Sequence, residues 1–300
     1  MSEINSEKFK FTENNVCEEV LPNYDRTIKQ RVLNERKFKI GIILLILIIG
    51  LIMICPIFSK WTIDQVFKGT GKELFPSKEH WFGITQTGND LFIMMWTAAR
   101  NTVRICLKVI FFDISIGFVF GGICSYYGGI VDSIIMRIVE IIMSIHVLVL
   151  VVLLYITLGQ CEESLVMGLA IYGSCSIITS IRGQLLEVRE QEYILAAKSL
   201  GASASRVLTR HFFRNIFGTA VVVLTLEIPN TILIESGLSF MGLGVNLTLG
   251  NLMAMNRGLA IFYPYTIIIP ATLLIIIALS FNLIGDGLRN AFDPTELDFE

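Results

Sequence analysis

Apolar positions in this chain come in long runs rather than alternating with polar ones. Positions 40–58 hold nineteen successive uncharged residues, thirteen of them Ile or Leu. A run of that length matches the roughly 20 residues a helix needs to cross a bilayer core. Five further apolar stretches follow, at 105–126, 134–157, 164–181, 216–235 and 264–284. The pattern predicts an all-α integral membrane protein with six transmembrane helices. The first run reads as a retained anchor rather than a secretory signal. A charged lead of 39 residues precedes it, and no small-residue cleavage pattern follows Cys55-Pro56.

One polar stretch interrupts the apolar second half. Residues 192–215, EYILAAKSLGASASRVLTRHFFRN, read as a helix, a break at Gly201, and a second short helix begun by Ser203 or Ser205, either of which can cap the next turn's free N–H groups. Lys198, Arg206, Arg210 and Arg214 are held here between two spans, which places the segment on the cytoplasmic side, where short loops collect Lys and Arg. Counting the basic residues extends the orientation. Eight lie before position 40, six between 182 and 214, and Arg137 and Arg289 add one each; the other eight fall on the opposite side, seven of them in a long outer segment where the charge rule weakens. Both termini are therefore expected in the cytoplasm. The chain divides into a tail at 1–39, the anchor at 40–58, an extracytoplasmic loop at 59–97, a membrane core at 98–287 that contains the polar region 182–215, and a tail at 288–300.

Composition agrees with this reading. With 53% hydrophobic and 17% charged residues and a mean hydropathy of +0.66, the chain is too apolar for an ordinary soluble domain. The net charge of -2 is uninformative in such a protein, and no nucleic-acid footprint is visible.

The residues of the polar segment also resemble a known element. Glu192-Tyr193, Ala196-Ala197, Gly201, Arg210-His211 and Asn215 resemble the EAA loop of permease subunits from ABC importers. Upstream stand Tyr127-Gly128-Gly129 with Val131-Asp132 and Met136-Arg137, then Arg182-Gly183-Gln184. Downstream come Ile232-Leu233, Glu235, Leu238-Ser239-Phe240 with Gly242-Leu243-Gly244, and Phe281-Asn282-Leu283 with Gly285-Asp286-Gly287-Leu288-Arg289 and Asp293-Pro294. In this order, over about 80–294, they resemble the C-type subunit of the oligopeptide/dipeptide/nickel permease family.

The resemblance implies a transport subunit that forms half of a translocation path and works by alternating access. In that family the loop docks on a cytoplasmic ATPase. Carried over, Glu192, Ala196, Ala197, Gly201, Ala202, Ser203, Arg206, Arg210 and His211 would be the ATPase-coupling residues, the small ones permitting close approach and Arg206 and Arg210 engaging the rim of the groove. Leu195 stands where the motif has glutamate and Arg214 where it has proline. The implied partners are a second homologous permease subunit, two ATPases, an extracytoplasmic substrate-binding protein and the lipid bilayer of a bacterial inner or plasma membrane. ATP and Mg would be held by the ATPases, with no cofactor on this chain. The family's commonest cargo is peptide; nickel or a metal–metallophore complex is the alternative, and an ATPase-independent secondary transporter is the reading from another class.

Catalytic signatures are absent from the sequence: there is no GxxxxGK[ST] loop and no HExxH. The chain is expected to be no enzyme, with ATP hydrolysis left to partners, and no metal site is expected. Candidate path residues are Glu227, Asn230, Glu235 and His146. A charge near the bilayer centre costs about 2.5–3.5 kcal/mol by insertion measurements. Asp113, Glu140 and Glu227 should therefore face protein, a partner or water. Glu227 either lines a path or makes a structural pairing beside Pro229, which must loosen its helix. His146 is read either as a packed, hydrogen-bonded residue or as an ion site. Gly117 and Gly121 form a GxxxG suited to close helix packing. Cys55, Cys106, Cys124 and Cys175 read as small buried hydrophobes, Cys17 lies in the tail, and Cys161 is a candidate exposed thiol. The outer loop, with Trp61, His80, Trp81 and Phe82, is either a lid anchored by aromatics or a contact for a binding protein.

Overall fold

The computed structural model describes residues 30–59, 61–63, 65–66, 75–85, 87–189 and 213–292. Among these the protein is helical, with only an isolated bridge between Ile84 and Asp90. The helices are α1 (Arg36–Phe58), α2 (Leu91–Tyr127), α3 (Gly129–Ser144), α4 (Val147–Leu158), α5 (Glu162–Arg189), α6 (Phe213–Leu238), α7 (Leu249–Asn256) and α8 (Tyr265–Phe292), with a π turn, Ser239–Leu243, closing α6. Among the described residues, four helical segments are each long and apolar enough to cross a membrane, and a bent pair, α3 with α4, makes a fifth if counted as one.

Helix α2 is the axis of the fold. It starts at Leu91, well before the apolar run expected at 105, because Asp90 caps it: Oδ1 accepts the Ile93 N–H at 3.1 Å while Oδ2 bonds His80 Nδ1 at 2.8 Å. Arg100, Arg104 and Lys108 interrupt the apolar run in the sequence. Spaced four apart, they share one exposed face, and Ala98, Ala99, Thr102, Ile105, Cys106 and Val109 are buried. The outer loop is correspondingly shorter than 59–97. Its rings are packed together, Trp61 stacking on His80 with centroids 5.2 Å apart and Trp81 meeting Phe92 edge-on at 5.2 Å.

Small residues set the close helix crossings. A Cβ on Gly117 would lie 2.3 Å from Ile177 Cγ2, and one on Gly121 would lie 3.0 Å from Ile181 Cβ, so the GxxxG of α2 receives two isoleucines of α5. Helix α1 runs against α8 through Gly41 and Gly287, whose added Cβ atoms would meet the backbone nitrogens of Ile284 and Phe38 at 2.9 and 2.6 Å. From Ile40 on, α1 is apolar and largely exposed, as suits a helix whose other neighbour is lipid.

The stretch expected as one span at 134–157 is two helices, bent by 92°. Ile145 and His146 are extended, and His146 Nδ1 accepts the Leu148 N–H at 3.2 Å, which starts α4 as a new helix. Apolar content alone could not reveal the break, since both sides of it read as membrane helix. Helix α7 lies between the apolar runs 216–235 and 264–284, where the apolar pattern predicts no span. Thr248 caps it, Thr102 of α2 takes the Leu249 N–H at 3.0 Å, and Gly250 lies against the Ser236 backbone.

Candidate functional site

The polar segment and the apolar core contribute separate candidate sites. All nine coupling candidates (Glu192, Ala196, Ala197, Gly201, Ala202, Ser203, Arg206, Arg210 and His211) lie outside the described residues. The helices that lead into and out of that region are described: α5 ends at Arg189 and α6 begins at Phe213.

The end of α5 nearest this segment is tied to the corner between α2 and α3. Arg182 presents Nε and Nη2 to Asp132 Oδ1 and Oδ2, at 2.5 and 2.6 Å, a fork on a carboxylate. Arg189 Nη1 donates to the Ser125 carbonyl at 3.1 Å, in the last turn of α2, where a helix leaves its carbonyls unpaired. Ser125 Oγ donates to the Gly121 carbonyl at 2.8 Å and reaches the Arg182 carbonyl at 3.3 Å. The corner is Gly128-Gly129, with φ of +63° and +54°, conformations that suit glycine. A Cβ on Gly128 would also sit 2.6 Å from Arg189 Nη1. In the sequence Asp132 and Arg182 stand fifty residues apart, and nothing in the spacing joins them.

The path candidates do not form one cluster. Glu227 and Asn230 lie one turn apart on α6, and Asn230 Nδ2 donates to Glu227 Oε1 at 3.3 Å. Glu227 is partly buried and Asn230 exposed. Between them, Pro229 offers no N–H to the Thr225 carbonyl, so this turn gathers carboxylate and carbonyl oxygens. Glu235 is a different kind of residue. It is fully buried and accepts bonds from Ser239 Oγ at 2.6 Å and Ser236 Oγ at 3.2 Å, which tie it to the π turn. His146 is exposed at the α3–α4 bend, with its ring occupied in capping α4, rather than packed inside the chain. No hydrogen bond or ion pair joins it to Glu227 or Glu235 among the described residues.

The remaining charges are placed as follows. Asp113 is fully buried on α2 against Gly173, beside the Ser174 backbone, and no side chain among the described residues hydrogen-bonds to it. Glu140 pairs with Arg137 at 3.1 Å on an exposed face of α3. Glu162, at the start of α5, accepts from Arg104 at 2.9 Å and also from Lys108 and Asn246, joining α2, α5 and the link to α7. Cys106, Cys124 and Cys175 are buried; Cys161 is half-buried, its sulfur 3.0 Å from Ser164 Oγ, rather than openly exposed. A groove of about 1230 Å³ between α1, α2 and α5 has apolar walls that include Ile52, Phe112 and Met167, and none of the four path candidates lines it. No group of three or more His, Cys, Asp or Glu arranged for a metal occurs among the described residues.

Comparison with known proteins bears on this arrangement. Residues 114–296 match the family described as binding-protein-dependent transport system inner membrane component. The chain is 34% identical to the oligopeptide transport system permease protein OppC of Bacillus subtilis, over 85% of this chain and 84% of that one. It is 31% identical to the dipeptide transport system permease protein DppC of the same organism, over 91% and 86%. It is 35% identical to DppC of Lactococcus lactis, over 77% and 67%. Among solved structures, an amino acid ABC transporter crystallised with histidines superposes with a TM-score of 0.52 at 16% identity, covering 66% of this chain and 94% of the other, a likeness of fold.

Proposed function

The chain belongs to the binding-protein-dependent transport system inner membrane components, and from that premise we propose that it is the permease subunit of an ATP-driven importer of oligopeptides or dipeptides. It is a multi-pass membrane protein. In the proposed assembly it forms half of the translocation path with a second permease, docks one of the two ATPases through segment 192–215, and receives cargo from an extracytoplasmic binding protein. Both termini lie in the cytoplasm, and ATP and Mg stay on the ATPases.

The observation that carries the cargo assignment is the near full-length likeness to permeases named for oligopeptide and dipeptide transport. The chemistry of α6 supports it. Glu227, Asn230 and the carbonyl left free by Pro229 form an acceptor-rich turn in an apolar helix, and in a low-dielectric passage such a turn gains most from a cation. The free amino terminus of a peptide supplies one. Alternating access then asks the chain to change which end of the path is open while this turn keeps its place.

The test is uptake in a strain lacking this subunit, complemented with the chain, using labelled dipeptides, longer peptides and nickel in parallel. Peptide uptake is expected to return, with the second permease and two ATPases co-purifying. Nickel uptake without peptide uptake would overturn the cargo assignment, and transport by the chain alone would overturn the ATP-driven assembly.

A further inference from the structure

We propose that Asp132 and Arg182 are positioning residues that make α3 follow the coupling segment, so that the ATPase stroke reaches the bent α3–α4 arm through this ion pair. The proposal rests on the reading of 192–215 as the ATPase-docking element.

Arg182 and Arg189 are seven residues apart on α5, two turns along, and so lie on one side of the helix. From that side each reaches a different element: Arg189 holds the last turn of α2, and Arg182 holds the first turn of α3. The hinge between those elements, Gly128-Gly129, lies between the two grips. Helix α5 is continuous from Glu162 to Arg189, and segment 192–215 follows it closely in the chain. A displacement applied at the Arg189 end of α5 therefore reaches both arginines through one helix.

Apart from the ion pair, one small apolar cluster holds helix α3: Val139, its one buried residue, sits with Cys175 and Ile178 of α5, and the partly buried Ile135, Met136 and Ile142 pack against them. The Asp132–Arg182 pair is half-buried, with side-chain exposures of 16% and 27%, so water screens it only in part. The two-point fork also fixes orientation, which a single contact does not. A tug on α5 thus moves the start of α3 in a defined direction, and the hinge glycines permit it. Without the fork, α3 would keep its apolar contact but lose its register to α5.

The test uses the complete complex in proteoliposomes, measuring cargo transported per ATP hydrolysed. Asp132→Asn and Arg182→Lys should assemble with both ATPases and hydrolyse ATP, yet transport about tenfold less cargo per ATP, within the usual range of coupling effects. The charge exchange Asp132→Arg with Arg182→Asp should recover most of that loss. A merely structural role would lower the yield of complex and leave the ratio unchanged, and that outcome overturns the proposal. If Asp132→Asn does not assemble, Arg182→Lys decides, because it keeps the charge and removes the fork; wild-type cargo per ATP in that variant also overturns it. Gly201→Val separates the two readings. If it retains normal cargo-driven hydrolysis, the docking role itself fails; if it uncouples while both clamp variants stay coupled, only the clamp fails.

Discussion

At the scale of single residues, Glu227 is the charge whose surroundings leave it a task. Glu235 spends both carboxylate oxygens on Ser236 and Ser239 and is sealed from solvent. Glu227 has one bond to Asn230 on its own helix and remains partly open. If it receives the cationic end of cargo, Glu227→Gln keeps the shape and the bond to Asn230 but removes the charge. Uptake of peptides with an added Lys or Arg should then fall more than uptake of neutral ones, by roughly tenfold for a lost contact of about 1.4 kcal/mol. An equal fall for every peptide would assign Glu227 to a structural pairing, and no change in any of them would remove it from transport. The i, i+3 spacing of Glu227 and Asn230 was legible in the sequence because helical neighbours follow from the period. That Glu235 turns inward was not, since a carboxylate has the same hydropathy on either face.

At the scale of elements, the α2–α5 contact decides how the core is built. Gly117 and Gly121 admit Ile177 and Ile181, and Gly173 admits Asp113, each an approach that a methyl group would obstruct. Gly117→Ala would put a Cβ 2.3 Å from Ile177 Cγ2, and overpacking of this kind costs about 1–3 kcal/mol. The thermal midpoint of the purified protein should drop, and adding Ile177→Ala, which removes that Cγ2 but leaves the Ile177 Cβ 2.7 Å away, should lower it by less than the two single changes summed. Additive losses in the double variant would show that the crossing relaxes elsewhere. The GxxxG spacing forecast close packing; which helix it would meet depended on a partner sixty residues away. The opposite case is the α3–α4 bend. Its sequence, MSIHVLV, has no Gly or Pro to mark a break, and the helix restarts because the ring of His146 caps it.

At the scale of the whole molecule, orientation follows from the charge count, with sixteen of the Lys and Arg assigned to one side. A reporter fused after Glu300 should be active in the cytoplasm, and one inserted near Ser77 should be active outside; a cytoplasmic signal near Ser77 would invalidate the six-span arrangement. The sequence by itself determined that the chain lives in lipid, roughly where its apolar helices run, which family it resembles and where a basic segment breaks the membrane pattern. These properties are written in composition and local period, which need no knowledge of neighbours. Only the tertiary structure decided that Asp90 starts α2 early, that 134–157 is two helices, that α7 docks on Thr102, and that Asp132 and Arg182 meet. Each of these rests on a side chain finding one partner among many equally compatible in sequence, and that choice is made by packing, where distance along the chain carries no information.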